Sequence, residues 1–252
     1  NTINKPIIIG FSGLPGSGKS TLGFWIDSVA RELSLDIKVI SLDDFYLPAQ
    51  EMDFAMKGNP WNVPRGFPGS HSLDLLHQSL DVFLKTGILR SPTFDKSLRD
   101  GKGDRSGWCE LKSKILILEG WFVGCEPVSD LNNIDSLSED KFNLSLSQDE
   151  KDYRSLIQES LIKYSKIWKK FDKIWHLKSS HFNNTILWKT QQEEEMIKIR
   201  GSGLKGNNLT DFIRMIQSSI PQQSLSFINA DTTVQINQHR RIDKLLTTNY
   251  HF

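Results

Sequence analysis

A glycine-rich segment near the start of the chain has the residue types and spacing of a phosphate-binding loop. Residues 13–20 read Gly-Leu-Pro-Gly-Ser-Gly-Lys-Ser and match G-x-x-x-x-G-K-[ST] at every fixed position. Glycines let the backbone curl so that several N–H groups point into one hollow, and a helix beginning there adds the positive end of its dipole. The pattern predicts a purine-nucleotide site in which Lys19 contacts the β- and γ-phosphates and Ser20 binds Mg²⁺. The predicted ATP-binding residues are Gly13, Leu14, Pro15, Gly16, Ser17, Gly18, Lys19, Ser20 and Thr21.

Acidic residues follow two of the predicted strands. Asp43 and Asp44 come directly after the strand predicted over residues 37–41, and Glu119 ends the apolar run 115–118. Because parallel strands share their carboxyl edge with the phosphate loop, these acids could accept a substrate proton or bind Mg²⁺. The alternatives are that Asp43 caps a turn and that Glu119 is a surface acid. The predicted catalytic residues are Lys19, Asp43 and Glu119, and the predicted metal ligands are Ser20, Asp43 and Glu119.

A strand–helix–strand unit must position these residues. The apolar run 7–12 predicts a buried strand, helical spacing follows over 20–33, and a second strand is predicted over 37–41. A connection of this length favours a parallel sheet. Further patterns predict helices over 73–84, 153–170, 181–199 and 209–219, and strands over 114–120, 173–177 and 232–236. We therefore expect an α/β fold of the P-loop NTPase type, with a central parallel sheet and helices on both faces.

Three polar segments interrupt this pattern. We predict that residues 47–71, 91–113 and 131–148 are insertions in a single domain spanning 1–252. The first two are predicted to be long loops, with a short helix near 52–56 in the first. Long loops in compact domains are usually functional, so we expect the substrate side chains there.

Composition excludes several classes of protein. Of the 252 residues 38% are hydrophobic, which is enough for a core, and the formal charge of +1 gives no global attraction to nucleic acid or anionic membranes. Cys109 and Cys125 are the only cysteines, so neither a disulfide scaffold nor a four-ligand zinc site is expected. No apolar run could span a bilayer, and residues 1–6 lack the apolar core of a signal peptide. We expect a cytoplasmic monomer or small homo-oligomer without nucleic-acid or membrane partners.

At these motifs the chain resembles the P-loop small-molecule kinases related to phosphoribulokinase, uridine kinase and pantothenate kinase. In that group an S-x-D-x-F/Y segment follows the second strand, and its first Asp, the catalytic base, corresponds to Asp43. A closer resemblance is to the glycerate kinase type of plants, cyanobacteria and fungi. It rests on segments 41–47, 65–73, 94–97, 103–105, 118–121 and 187–193. This resemblance implies ATP-dependent phosphorylation of D-glycerate to 3-phosphoglycerate, a step of photorespiration, with Mg²⁺ as cofactor.

Glycerate carries a carboxylate and hydroxyls, so the resemblance also implies a cationic substrate site. Arg65 could grip a carboxylate with two parallel hydrogen bonds, although any of these loop cations could instead be solvated. The predicted substrate residues are Asp44, Tyr46, Arg65, His71, Lys96 and Arg105. Lys189 and Arg200 are predicted to lie on a helical lid that brings a cation to the phosphoryl group. The alternative is that these two cations lie on an exposed helix face and have no role in a lid.

Two other functions remain open at this point. One is phosphorylation of another small alcohol, of the pantothenate or nucleoside type. A nucleoside site would require aromatic side chains placed to sandwich a base. The other is a nucleotide-dependent regulatory protein without metabolite turnover, which would have no need for a base such as Asp43.

Overall fold

A six-stranded mixed sheet forms the centre of the computed structural model, which describes residues 5–131, 144–201 and 203–248. The strands are β1 (Ile7–Gly13), β2 (Ile37–Ser41), β3 (Ile88–Asp95), β4 (Asp104–Lys112), β5 (Ile115–Gly120), β6 (Lys173–Ser179), β7 (Thr232–Ile236) and β8 (Ile242–Thr247). The central sheet has the order β2-β5-β1-β6-β7-β8. All neighbours pair in parallel except β8, which runs antiparallel to β7. The predicted parallel sheet is therefore confirmed, with an antiparallel edge strand added.

Helices cover both faces of this sheet, as predicted for a P-loop NTPase fold. They are α1 (Lys19–Glu32), α2 (Ala49–Ala55), α3 (Leu73–Thr86), α4 (Gln148–Trp168), α5 (Asn184–Arg200), α6 (Gly206–Ser218) and α7 (Gln222–Ser226), with a 3-10 helix over Leu42–Phe45. None of the helices within the described ranges combines the length and apolar character that a membrane span requires.

The inner strands are buried on both faces because their apolar runs are continuous. Successive side chains point to opposite faces, so Ile8 and Leu116 enter a large core with α3 and α4, whereas Ile9 and Ile117 enter a smaller one with α1 and α5. Each buried side chain of this size contributes roughly 1.5–3 kcal/mol of hydrophobic stabilisation. This packing fixes the carboxyl edge of the sheet.

The prediction of a long loop over residues 91–113 is wrong. This segment lies in an antiparallel hairpin of β3 and β4, which forms a separate two-stranded sheet. Strand β3 packs against α3 and the 3-10 helix, whereas most of β4 is exposed, so β4 shows no apolar alternation. The segment 47–71 does contain the expected short helix, α2. Most of the third predicted insertion, residues 131–148, lies outside the described residues.

Candidate active site

The carboxyl ends of β1, β2 and β5 meet at one edge of the sheet. Glu119 on β5 is in parallel register with Phe11 on β1 and with Ser41 on β2. The phosphate loop leaves the end of β1, and the 3-10 helix that carries Asp43 leaves the end of β2. The loop, Asp43 and Glu119 therefore share the edge at which ligands bind in open α/β sheets.

The glycines of the phosphate loop meet two separate geometric demands. Gly16 and Gly18 have φ values of 76° and 101°, in the left-handed region that favours glycine. A Cβ atom on Gly16 would also come within 2.7 Å of the Trp188 backbone, so α5 packs directly on the loop. Gly18 is the N-cap of α1 and carries no capping side chain. The free N–H groups of the first turn of α1 are thus available to an anion.

Lys19 lies in the hollow beside this helix end. It is 7% exposed, and its Nζ donates to the Leu14 carbonyl at 3.2 Å. Burial lowers the pKa of Lys19, while the charges of Glu119 and Asp43 act in the opposite direction. The charges of Lys96 and Lys189 also act on Lys19 and lower its pKa.

Ser20 and Glu119 form the oxygen pair that the metal prediction requires. The Ser20 Oγ donates to Oε1 of Glu119 at 2.9 Å, and Glu119 is 7% exposed. In the described part of the chain, His, Cys, Asp and Glu side chains nowhere gather in groups of three or more that could hold a metal ion. Mg²⁺ is commonly held by one or two protein oxygens together with nucleotide phosphates and water, so this pair suits it.

The 3-10 helix after β2 holds Asp43 in place without using its carboxylate. Ser41 Oγ accepts from the Asp43 N–H and Asp44 Oδ2 accepts from the Ser41 N–H, both at 3.3 Å, so Ser41 and Asp44 form a capping box. The Asp43 carboxylate is left to face Lys96, whose Nζ lies 2.6 Å from Oδ2, and His71. The alternative that Asp43 only caps this turn is therefore wrong, because Ser41 and Asp44 form the cap.

Two neighbouring carboxyl groups have opposite pKa shifts. Burial acts to raise the pKa of Asp43, but Lys96 and His71 together outweigh it and the pKa lies well below its ordinary value. Burial, together with the adjacent charge of Asp43, raises the pKa of Asp44 to about 6. Asp43 is the carboxylate that is fully ionised at neutral pH.

His71 and Tyr46 lie behind Asp43. Their rings stack with centroids 4.5 Å apart, and both side chains are buried. His71 Nδ1 is 2.7 Å from the hydroxyl of Tyr164, and its Nε2 is 4.0 Å from Oδ1 of Asp43. That last distance is too long for a direct hydrogen bond. Burial lowers the pKa of His71, so the imidazole is neutral at pH 7.

Arg65 and Arg105 attach the hairpin to the site. Arg65 donates from Nη1 to the carbonyls of Gly101 and Lys102, at 2.8 and 2.5 Å, in the turn between β3 and β4. The charge of Arg65 also acts on Lys96. Arg105 donates to the Tyr46 carbonyl at 3.1 Å and to the Ser72 hydroxyl at 2.7 Å. These bonds hold the segments that carry the predicted substrate residues, whose direct contact with substrate stays a prediction.

Comparison with known proteins supports a kinase. No protein-family model matches the chain. It is 29% identical over 252 residues to the uncharacterized kinase mug58 of Schizosaccharomyces pombe, covering 93% of this chain and 86% of that one. It is 30% identical over 221 residues to the chloroplastic D-glycerate 3-kinase of Arabidopsis thaliana, covering 82% of this chain and 45% of the plant protein. The D-glycerate 3-kinase structure from Cryptococcus neoformans matches with a TM-score of 0.82 at 25% identity, over 97% of this chain and 90% of that one.

The chain is a P-loop kinase. Its similarity to these proteins extends over nearly its whole described length and is not confined to the phosphate loop. The resemblance to the glycerate kinase type is therefore confirmed.

The predicted lid helix of this P-loop kinase is α5. Thr185 Oγ1 donates to the Pro15 carbonyl at 2.8 Å. Lys189 is 9% exposed, pairs with Glu193 and lies 4.8 Å from the centre of the Phe212 ring, so it is not on an exposed face. Burial lowers its pKa, and Glu193 opposes that shift. The helix ends at Arg200, whose side chain lies outside the described part.

Arg240 is a contact of the kinase's phosphate loop that the sequence did not reveal. It lies in the β7–β8 turn, 224 positions from Gly16, and its Nε donates to the Gly16 carbonyl at 2.9 Å. Its Nη1 donates to Gln191 on α5 at 3.1 Å, and its guanidinium lies 5.5 Å from the Trp188 ring centre. Its own φ of 58° is unusual for a residue other than glycine. An Arg-Arg pair near the end of a sequence carries no signal for this contact.

We expect Arg240→Ala to raise the KM for ATP about tenfold, because a charge-assisted hydrogen bond that orients the loop is lost. The measurement is initial-rate kinetics with ATP varied, together with ADP binding by calorimetry. Arg241→Ala is the matched control, since it removes the same charge from the adjacent position. An equal change in both variants would contradict a specific role for Arg240.

Proposed function

We propose that this P-loop kinase transfers the γ-phosphoryl group of ATP to the 3-hydroxyl of D-glycerate. The observation that carries the proposal is the Asp43–Lys96 pair, 2.6 Å apart, at the sheet edge shared with the phosphate loop. It supplies an ionised base beside cations, as a small hydroxy acid requires. Two of the similar proteins are themselves named D-glycerate 3-kinases.

The side chains around Asp43 suit a small anionic acceptor. Lys96 is 53% exposed at its side chain, so its ammonium can meet a ligand from solvent. The charge of Arg65 lies near it. Of the aromatic rings in this region, Tyr46 and His71 are stacked on each other and buried, and Phe94 packs edge-on against Tyr46. They therefore do not form an open slot for a nucleobase, which favours glycerate over a nucleoside.

The proposed reaction is a direct displacement. The substrate hydroxyl oxygen attacks the γ-phosphorus while Asp43 takes its proton, and the bond from the γ-phosphorus to the bridging oxygen breaks to release ADP. Lys19 neutralises charge on the phosphoryl oxygens from within the loop. Ser20 and Glu119, with Asp43 as the third predicted ligand, would hold Mg²⁺, which when bound supplies charge neutralisation on the phosphates. The low pKa of Asp43 keeps the base ionised at neutral pH.

An acceptor screen tests this proposal. ADP formation is measured with D-glycerate, pantothenate and uridine, each with Mg²⁺ and again with the metal chelated, and the product is identified by phosphorus NMR. We expect turnover with D-glycerate and not with pantothenate or uridine. The turnover should depend on Mg²⁺ and yield 3-phosphoglycerate. Turnover with another alcohol would support the kinase activity but reject D-glycerate as the acceptor. Nucleotide binding without any acceptor-dependent turnover would support the regulatory alternative.

A further inference from the structure

One buried polar atom beside Asp43 has no hydrogen-bond partner among the described residues. It is His71 Nε2, whose side chain has no exposed surface and which lies 4.0 Å from Oδ1 of Asp43. A buried polar group without a partner is costly, and such groups in native proteins call for an explanation. Because Nε2 points to the catalytic carboxylate, a ligand atom is the natural partner.

The hydrogen bonds on the other side of the ring determine which nitrogen carries the hydrogen. The buried hydroxyl of Tyr164 accepts from the Gly69 N–H at 3.2 Å and lies 2.7 Å from His71 Nδ1. If Nδ1 carried the hydrogen, both N–H groups would donate to the Tyr164 oxygen and the hydroxyl hydrogen would lack an acceptor. If the hydroxyl donates to Nδ1, the Tyr164 hydroxyl, the Gly69 N–H and Nδ1 are all satisfied, and only Nε2 is left for a ligand. The second arrangement places the imidazole hydrogen on Nε2.

The other neighbour of Nδ1 does not change this conclusion. Ser70 Oγ is 3.4 Å from Nδ1 and donates its hydrogen to the Phe67 carbonyl at 2.7 Å. Burial raises the pKa of Tyr164, so the hydroxyl keeps the hydrogen that it donates to Nδ1.

We infer that Tyr164 holds His71 in the Nε2–H form, and that this N–H donates to the acceptor hydroxyl whose proton Asp43 takes. The second half of this inference rests on the proposed function. Two atoms 4.0 Å apart can both bond one oxygen that lies about 2.8 Å from each. That oxygen must accept from His71 and donate to Asp43, which an alcohol does. An ammonium group only donates, so the site discriminates against it.

Tyr164 is thus a positioning residue that acts through His71. Its ring is fixed by Phe122 and Trp168, with centroids 5.1 and 5.7 Å away, and His71 is fixed by its stacking on Tyr46. Because ring packing does not depend on the hydroxyl, Tyr164→Phe should fold normally while removing the group that selects the tautomer.

The tautomer is tested by long-range proton–nitrogen NMR on the full chain labelled with ¹⁵N-histidine, without substrate, with His71→Gln used to assign the signals. We expect the Nε2–H pattern for His71 in the wild type and its loss or mixing in Tyr164→Phe. Tyr153→Phe on the same helix is the matched control and should leave the pattern unchanged. A wild-type Nδ1–H pattern, or an unchanged pattern in Tyr164→Phe, would overturn the role of Tyr164.

The hydroxyl contact is tested by kinetics at saturating ATP. We expect Tyr164→Phe to raise the KM for the acceptor about tenfold, with the KM for ATP within about twofold of wild type. An equal rise in both KM values, or none for the acceptor, would reject the contact. If another alcohol proves to be the acceptor, the same measurement uses that alcohol, and only the glycerate assignment fails. If no alcohol is phosphorylated, the contact is rejected together with the proposed function, and the NMR result decides the tautomer separately.

Discussion

Asp43→Asn is expected to lower kcat about 10³-fold, within the range that a general base contributes. The amide keeps the shape of the side chain but cannot take the hydroxyl proton. Lys96 loses its partner, yet its side chain is half exposed, so folding should be preserved. The measurement is single-turnover phosphoryl transfer, with ADP affinity determined in parallel. ADP binding should change little.

Asp74→Asn is the matched control, because Asp74 is an exposed acid at the start of α3. A kcat for Asp43→Asn within tenfold of wild type would remove Asp43 as the base.

The pH profile of activity adds a second criterion. Burial acts to raise the pKa of Asp43, but Lys96 and His71 together hold it well below 3.8, so the base stays ionised until the pH falls through that low value. A loss of activity centred near pH 6 would instead match Asp44, whose pKa is about 6.

The inner sheet and the phosphate loop could be predicted because their signals are local. The strands β1 and β5 are continuous apolar runs, and all fixed positions of the loop lie within residues 13–20. The exposed edge strand β8 and the exposed strand β4 were not predicted, since their side chains do not alternate between core and solvent. Helix α4 begins at Gln148 instead of residue 153, because its first turn is polar and is stabilised by a capping box.

The cationic and aromatic part of the site could not be derived from spacing. Lys96 lies 53 positions from Asp43 and reaches it only because the hairpin packs against the 3-10 helix. Tyr164 is 93 positions from His71 and reads in the sequence as one more apolar position of a long helix. Such contacts depend on tertiary packing, whereas the pattern of the sequence reports only which face of an element is apolar.

Lys189 shows that a helix can be predicted from the sequence while the contacts of one of its side chains cannot. The sequence indicates a cation on a helix near the phosphate loop, and α5 does contact that loop through Thr185. The ammonium is nevertheless engaged by Glu193 and buried beside Phe212. A role for Lys189 at the phosphoryl group would therefore require it to exchange Glu193 for phosphate oxygens.

The second large effect is expected for Lys19→Met, which should lower kcat/KM for ATP about 10³-fold, as loss of a preorganised electrostatic group does. Methionine fills a similar volume without the charge, and in a site only 7% exposed a lost charge is poorly replaced by water. Burial lowers the pKa of Lys19, while the charges of Glu119 and Asp43 act in favour of the charged form. The measurement is initial-rate kinetics with ATP varied.

Lys85→Met, on the exposed last turn of α3, is the matched control and should leave kcat/KM for ATP unchanged. The melting temperature of Lys19→Met should be equal to or above that of wild type, because a buried charge no longer has to be desolvated on folding. That combination, a stable fold with little activity, separates a catalytic charge from a structural one. A large fall in melting temperature, or a kcat/KM within tenfold of wild type, would show that Lys19 serves the loop through its bond to Leu14 and not through the phosphates.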